Sequence, residues 1–169
     1  MKKKIILLGL LIFVISSYAD WKLLTDKDEM TGEQQCFAVS DMVSPTRKMS
    51  FPYHNTKAWI IFGYDGKNRA IILGFNNTPN ITNMKVRDGY NLIETRVKWD
   101  KDGIEKVTLI QEWGSKFIRF FDTDHIISRM KRNNTLLVEL KWYGNGNVYF
   151  KFPLKGFIKA SNKVYRICK

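Results

Sequence analysis

Cys36, Cys168, His54 and His125 are the side chains of this chain best suited to nucleophilic or metal chemistry. A catalytic thiol needs a base within hydrogen-bond reach, and only the two histidines could supply an imidazole. His54 stands in "FPYHNTK", which reads as a loop. His125 falls in the first turn of a predicted helix, where a surface position is expected. A thiol oxidoreductase would carry C-x-x-C, and the chain has none. Two histidines and two cysteines expected to bridge make a poor zinc set. "DKDEMTGE" (26–33) gathers acids but lacks the ligand alternation of a calcium loop, so it reads as a solvated turn before the first core strand. There is no G-x-S-x-G, no phosphate-binding glycine loop and no H-E-x-x-H. A carboxylate pair assembled by the fold would not show at this level, because spatial pairing is invisible in sequence. No catalytic, cofactor-binding or metal-ligating residue is therefore assigned.

The two cysteines take their meaning from compartment. Lys2, Lys3 and Lys4 precede an uncharged apolar run from Ile5 to Ile15, and Ser17-Tyr18-Ala19 follows. This is the pattern of a secretory signal peptide cleaved after Ala19; an uncleaved anchor is the competing reading. With no cysteine at the cleavage point, a lipoprotein is not expected. The reading gives a leader over 1–19 and one domain over 20–169, periplasmic or secreted. An even cysteine count in an oxidising compartment suggests a structural Cys36–Cys168 disulfide. A redox-active pair and a catalytic thiol are the alternatives. A bridge would close nearly the whole domain, worth about 4–5 kcal/mol by loop entropy.

Most of the remaining chain reads as strands separated by turns. "QQCFAVS" (34–40) is a short strand. "AWIIFGYDGKNRAIILGF" (58–75) is a hairpin about Asp65-Gly66. "NLIETRVKW" (91–99) places Ile93, Thr95, Val97 and Trp99 on one face and Glu94, Arg96 and Lys98 on the other. "DKDG" (100–103) turns the chain into "IEKVTLIQEW" (104–113). "TLLVELKWY" (135–143) alternates as well, with Leu136, Val138, Leu140 and Trp142 facing one way. "VYFKF" (148–152) sets Val148, Phe150 and Phe152 against Tyr149 and Lys151. Period-two alternation with one polar face suits an antiparallel sheet solvated on one side.

Two helices interrupt the strands. In "FDTDHIISRMKRNN" (121–134), Asp122 is the expected N-cap, with Phe121 and Ile126 placed for a hydrophobic staple. In the closing "LKGFIKASNKVYRIC", an apolar stripe is expected from Leu154, Phe157, Ile158, Ser161, Val164, Tyr165 and Cys168. Docking of that stripe on the sheet is favoured over a basic helix lying on an anionic membrane. The fold class expected is mainly β: an antiparallel β-sandwich or open barrel of roughly seven to nine strands with two short helices, the last one C-terminal.

The formal net charge is +12. Subtracting the three leader lysines from 12 leaves +9. Acidic proteins, anionic lipid and lipopolysaccharide are the partners such a surface favours. Nucleic acid is disfavoured, because the basic residues are scattered and the chain is expected to be exported. Of Trp21, Trp59, Trp99, Trp113 and Trp142, most fall in strand-like runs and are expected in the core, with some available for a recognition surface. Sequons begin at Asn76, Asn80 and Asn133, and "FNNTPNIT" reads as a polar loop.

The two ends of the chain carry a resemblance. "DWKLLTDKDEMTGEQQCFAVS" and "FKFPLKGFIKASNKVYRIC", with Cys36, Phe152, Leu154, Gly156, Ala160 and Cys168, resemble small exported bacterial β-sandwich proteins of the invasion-associated locus B family. They are also similar to accessory periplasmic proteins encoded with type VI secretion systems. The resemblance implies an envelope or secreted protein with a sandwich fold, a bridge from the early strand to the last helix, and no established catalytic residues.

Residues and resemblance together lead to the expectation of a non-enzymatic binding protein acting through an envelope or secreted protein partner. A secreted hydrolase of cell-wall or polyanionic substrates, and a lipid or lipopolysaccharide binder, are the alternatives.

Overall fold

The computed structural model describes residues 21–168; the expected leader over 1–19 lies outside them. Ten strands run in chain order: β1 Lys22–Lys27, β2 Gln34–Val39, β3 Ala58–Tyr64, β4 Arg69–Phe75, β5 Met84–Arg87, β6 Tyr90–Trp99, β7 Gly103–Glu112, β8 Phe117–Phe120, β9 Thr135–Trp142 and β10 Gly146–Pro153. Helix α1, Thr123–Arg132, separates β8 from β9, and α2, Phe157–Ile167, follows β10. All ten strands join one antiparallel sheet in the order β1-β2-β3-β4-β8-β7-β6-β9-β10, with β5 added beside β6. The sheet is mainly β and not closed, as an open barrel requires. Ten strands is one more than the upper end of the expected seven to nine, and β1, β5 and β8 carry no separate mark in the sequence. β1 and β5 show almost no buried side chains, so no alternation marks them. β8 has only four residues.

Alternation fixes the core. Ile93, Val97 and Trp99 of β6, Leu136, Val138, Leu140 and Trp142 of β9, and Val148, Phe150 and Phe152 of β10 are all buried. The sheet curls so that Phe75 of β4 meets Trp142 and Phe150 edge-on, at ring-centroid distances of 5.8 and 5.6 Å. Such offset aromatic contacts add about 0.5–1.5 kcal/mol beyond area burial. The segment 43–46 spans the gap between the two sides. Val43 bridges to Ala58 of β3, and Pro45 to Phe150 of β10.

The helices cover what the sheet leaves open. Asp122 caps α1 by accepting a hydrogen bond from the His125 amide at 3.1 Å, which satisfies one of the otherwise unpaired first-turn donors. Phe121 is 69% exposed, so the expected staple with Ile126 gives it little cover. Helix α2 docks through Phe157, Ala160, Ser161 and Val164. Ala160 is buried where Ile158 was expected; Ile158 points outward. Phe62 of β3 receives the Phe157 and Tyr165 rings edge-on. Cys168 at the end of α2 is bonded to Cys36 of β2, with 6.0 Å between their α-carbons and a sequence separation of 132. The final helix is thus clamped on an early core strand.

Candidate interaction face

β6 runs between β7 and β9, and its outward residues Glu94, Arg96 and Lys98 are exposed. Register lays the neighbours of these residues in rows. Lys106 of β7 stands opposite Arg96. Lys98 stands opposite Ile104 of β7 and Leu137 of β9. On β10, Lys151 is opposite Leu137, Tyr149 opposite Glu139 and Asn147 opposite Lys141. The outer face of β7-β6-β9-β10 is therefore a lattice of cations broken by two glutamates.

Arg96 clamps Glu139 through two hydrogen bonds, Nε to Oε1 at 2.9 Å and Nη2 to Oε2 at 2.6 Å. The guanidinium is the main cause holding the Glu139 carboxyl below its usual range, against partial desolvation. Glu94 pairs with Lys85 at 3.5 Å. Among the described residues, Lys98, Lys106, Lys141 and Lys151 form no ion pair.

The Arg96–Glu139 pair divides two depressions. The larger, about 530 Å³, is lined by Glu94, Thr108, Lys106, Lys141 and Asn147 as well as by the pair. The smaller, about 210 Å³, adds Lys98, Ile104, Leu137 and Tyr149. The larger one exists because β6 and β9 part company. They pair only from Val97 to Trp99; toward its start β6 pairs with β5 instead, and side chains bridge the stretch between. The Thr95 hydroxyl donates to the Glu139 carbonyl. The Asn83 amide donates to the Glu94 carbonyl at 2.8 Å. The chain around Ile81 bridges to Trp142.

These two glutamates do not form an acid–base pair. Each is matched to a cation, and Glu139 is shifted toward the ionised form, the opposite of what a general acid needs. Lysines on a solvated sheet face are ordinary. Arg96 and Lys106 directly opposite each other are less so, because like charges across a strand pair are destabilising.

The sequence-marked residues lie elsewhere. The Cys36–Cys168 bridge leaves no free thiol among the described residues, which removes the catalytic-thiol reading. His54 is exposed and stacks on Phe51, with ring centroids 6.2 Å apart. His125 is exposed as expected, but it has a partner that the sequence did not show: Glu105 of β7, 2.9 Å away. Glu105 also accepts from the Trp99 indole at 2.6 Å and pairs with Arg129 at 3.4 Å. Desolvation raises the Glu105 pKa, but the bonds from His125 and Trp99 and the nearby positive charge outweigh it, so the net shift is downward. Arg129 and Arg132 reach Asp102 in turn. The network pins α1 to the β6–β7 turn and leaves Glu105 fully engaged.

In the acidic stretch 26–33, Asp28 accepts from the amides of Met30 and Thr31 at 2.7 and 3.0 Å. That spends the carboxylate on a turn, and β1 runs into it rather than a loop. Among the described residues no group of three or more His, Cys, Asp or Glu could hold a metal ion. Of the sequon asparagines, Asn133 is buried and bonded to Lys101, Asp102 and Arg129. Asn76 is tied to Lys57 and Asn55. The Asn80 side chain is exposed and makes no hydrogen bond among the described residues. Trp99 and Trp142 are core residues, whereas Trp113 is 87% exposed just past the end of β7.

The apolar stripe of α2 is consumed by the core, so the helix does not offer it to a membrane. No helix among the described residues is long and apolar enough to cross a bilayer. Comparison with family models, with curated proteins and with solved structures finds no match.

Proposed function

We propose that this chain is an exported, non-enzymatic binding protein that engages an acidic envelope or secreted protein through the outer face of β7-β6-β9-β10. The observation that carries the reading is the set of four unpaired lysines, Lys98, Lys106, Lys141 and Lys151, around the Arg96–Glu139 clamp. Complementary charge speeds encounter and selects partners more than it adds affinity. Leu137, Ile104 and Tyr149 between the cations supply apolar area for a contact core. The Cys36–Cys168 bridge is consistent with an oxidising compartment, as is the leader read over 1–19. The hydrolase reading gains no support from the face, because its carboxylates are ion-paired.

The test is native capture. The disulfide-bonded chain, tagged and returned to an envelope extract of its host, should retain a discrete acidic protein. The quadruple variant Lys98→Gln/Lys106→Gln/Lys141→Gln/Lys151→Gln should lose it. Equal recovery of the same protein by both would refute the assignment of this face.

A further inference from the structure

A second cleft lies away from the basic face and has a different chemistry. It occupies about 340 Å³ where the end of β7 and the start of β6 meet the loop 78–81. Tyr53, Ile81, Met84, Asn91, Gln111 and Trp113 give it its character, and no acidic, basic or histidine side chain lines it. An uncharged cleft is notable on a chain of net charge +12.

Two amides lie at its inner end. Asn91 and Gln111 stand directly opposite each other on β6 and β7 and are only 4% and 3% exposed. Gln111 uses its amide nitrogen on the carbonyls of Pro79 and Ser115, at 3.2 and 2.9 Å. Its carbonyl oxygen has no partner among the described residues. The Asn91 side chain makes no hydrogen bond with them at all. Neither amide is among the polar atoms sealed from solvent without a partner, so both are reached from the cleft. A buried amide without a protein partner takes water or a ligand. At the mouth stands Trp113, the most exposed tryptophan, followed by Gly114 at φ +74°. An indole left in water at a turn is an unusual use of a large apolar side chain.

An apolar ligand would leave Asn91 and the Gln111 oxygen unsatisfied. An anion or cation would meet no countercharge. The lining asks for an uncharged molecule with one apolar face and an edge carrying both donors and acceptors. A pyranose ring has this construction, with C–H groups on one face and hydroxyls or an acetamido group at the edge. We propose that this cleft binds an uncharged saccharide ring, one face against Trp113 and the polar edge on Asn91 and Gln111. The volume is within the range of small-ligand sites, about 300–1,000 Å³.

The test is an NMR titration of the disulfide-bonded chain with the trimer of N-acetylglucosamine and, separately, with cellotriose. The expected result is a saturable, concerted shift of the Trp113 indole N–H and Asn91 side-chain amide signals with at least one sugar. Shifts with the first alone place the acetamido group on the amides; shifts with both place hydroxyls there. Trp113→Ala, a change at an exposed turn, should weaken binding about tenfold or more by removing the apolar contact. Lys106→Gln and added salt should leave it unchanged. Failure of both sugars to move these signals at about 10 mM, a concentration that detects even millimolar affinity, would overturn the proposal. Shifts produced only by a charged saccharide, or by an uncharged peptide and neither sugar, would overturn it too.

Discussion

Arg96 of β6 and Lys106 of β7 stand directly opposite each other on the exposed outer face of the sheet. Arg96 is drawn to Glu139 on the far side, which leaves Lys106 without a counterion among the described residues. Like charges in this register destabilise a sheet, typically within about 0.2–1 kcal/mol. Lys106→Gln should therefore raise the melting temperature slightly while weakening capture of an acidic partner. A neutral change in stability together with unchanged binding would remove Lys106 from the face.

The Cys36–Cys168 bridge spans 132 residues of sequence. By loop entropy its removal costs about 4–5 kcal/mol, a large share of a domain's total of roughly 5–15 kcal/mol. The double variant Cys36→Ala/Cys168→Ala should show a midpoint of denaturation far below that of the parent. Hydrogen exchange should rise first in α2, whose end loses its anchor on β2. Retention of the parental midpoint would contradict the clasp.

Trp59 of β3 lies across Gly74 of β4 in register. A methyl group on Gly74 would come within 2.4 Å of the Trp59 indole, closer than a β-carbon approaches a non-bonded neighbour, so the ring must shift. Gly74→Ala should displace the ring and cost about 1–3 kcal/mol, as overpacking does. Gly74→Ala combined with Trp59→Leu should recover part of the loss, and chemical denaturation measures both.

Asp65 holds the β3–β4 turn by accepting from the amides of Asn68 and Lys67 at 2.6 and 2.9 Å. The Asn68 amide is the largest cause that pulls its carboxyl from 3.8 to about 2. A lowered folded-state value favours folding above the ordinary carboxylate range, and the contribution disappears as pH falls toward 2. An NMR titration of the Asp65 side chain should show a midpoint near 2. In Asn68→Ala, which removes the side-chain bond but keeps the amide, the midpoint should rise part of the way. A midpoint at the ordinary value in the parent chain would mean that the turn is open.

The alternation of β6, β9 and β10 was readable because one face of each is sealed in the core, down to single residues such as Val97 and Phe150. β1 and β5 were not readable, since their side chains face water almost throughout and their pairing is made by backbone alone. The outward positions of Arg96, Lys98 and Lys151 were also readable. That β6 lies beside β9 was not, because residues 100–134, including β7, β8 and α1, intervene in the chain. Without that adjacency the Arg96–Glu139 clamp and the groove beside it have no signature. Glu105 and His125 illustrate the same limit: each has an unremarkable local sequence, and only the packing of α1 on the β6–β7 turn joins them. Asn91 opens the strand read over 91–99 and received no role there; it faces inward with Gln111.

Position on one sheet face, and not net charge, governs recognition of an acidic partner in the proposed function. Two variants of equal charge separate these directly. One carries Lys98→Gln, Lys106→Gln, Lys141→Gln and Lys151→Gln. The other carries Lys22→Gln, Lys116→Gln, Lys159→Gln and Lys163→Gln, all exposed and outside this face. Binding of each to poly-L-glutamate is measured by calorimetry as salt is raised through about 0.01–1 M, which shortens the screening length from about 30 to 3 Å. The first variant should lose most of the salt-dependent affinity and the second should retain it. Equal loss in the two variants would contradict the assignment of recognition to this face.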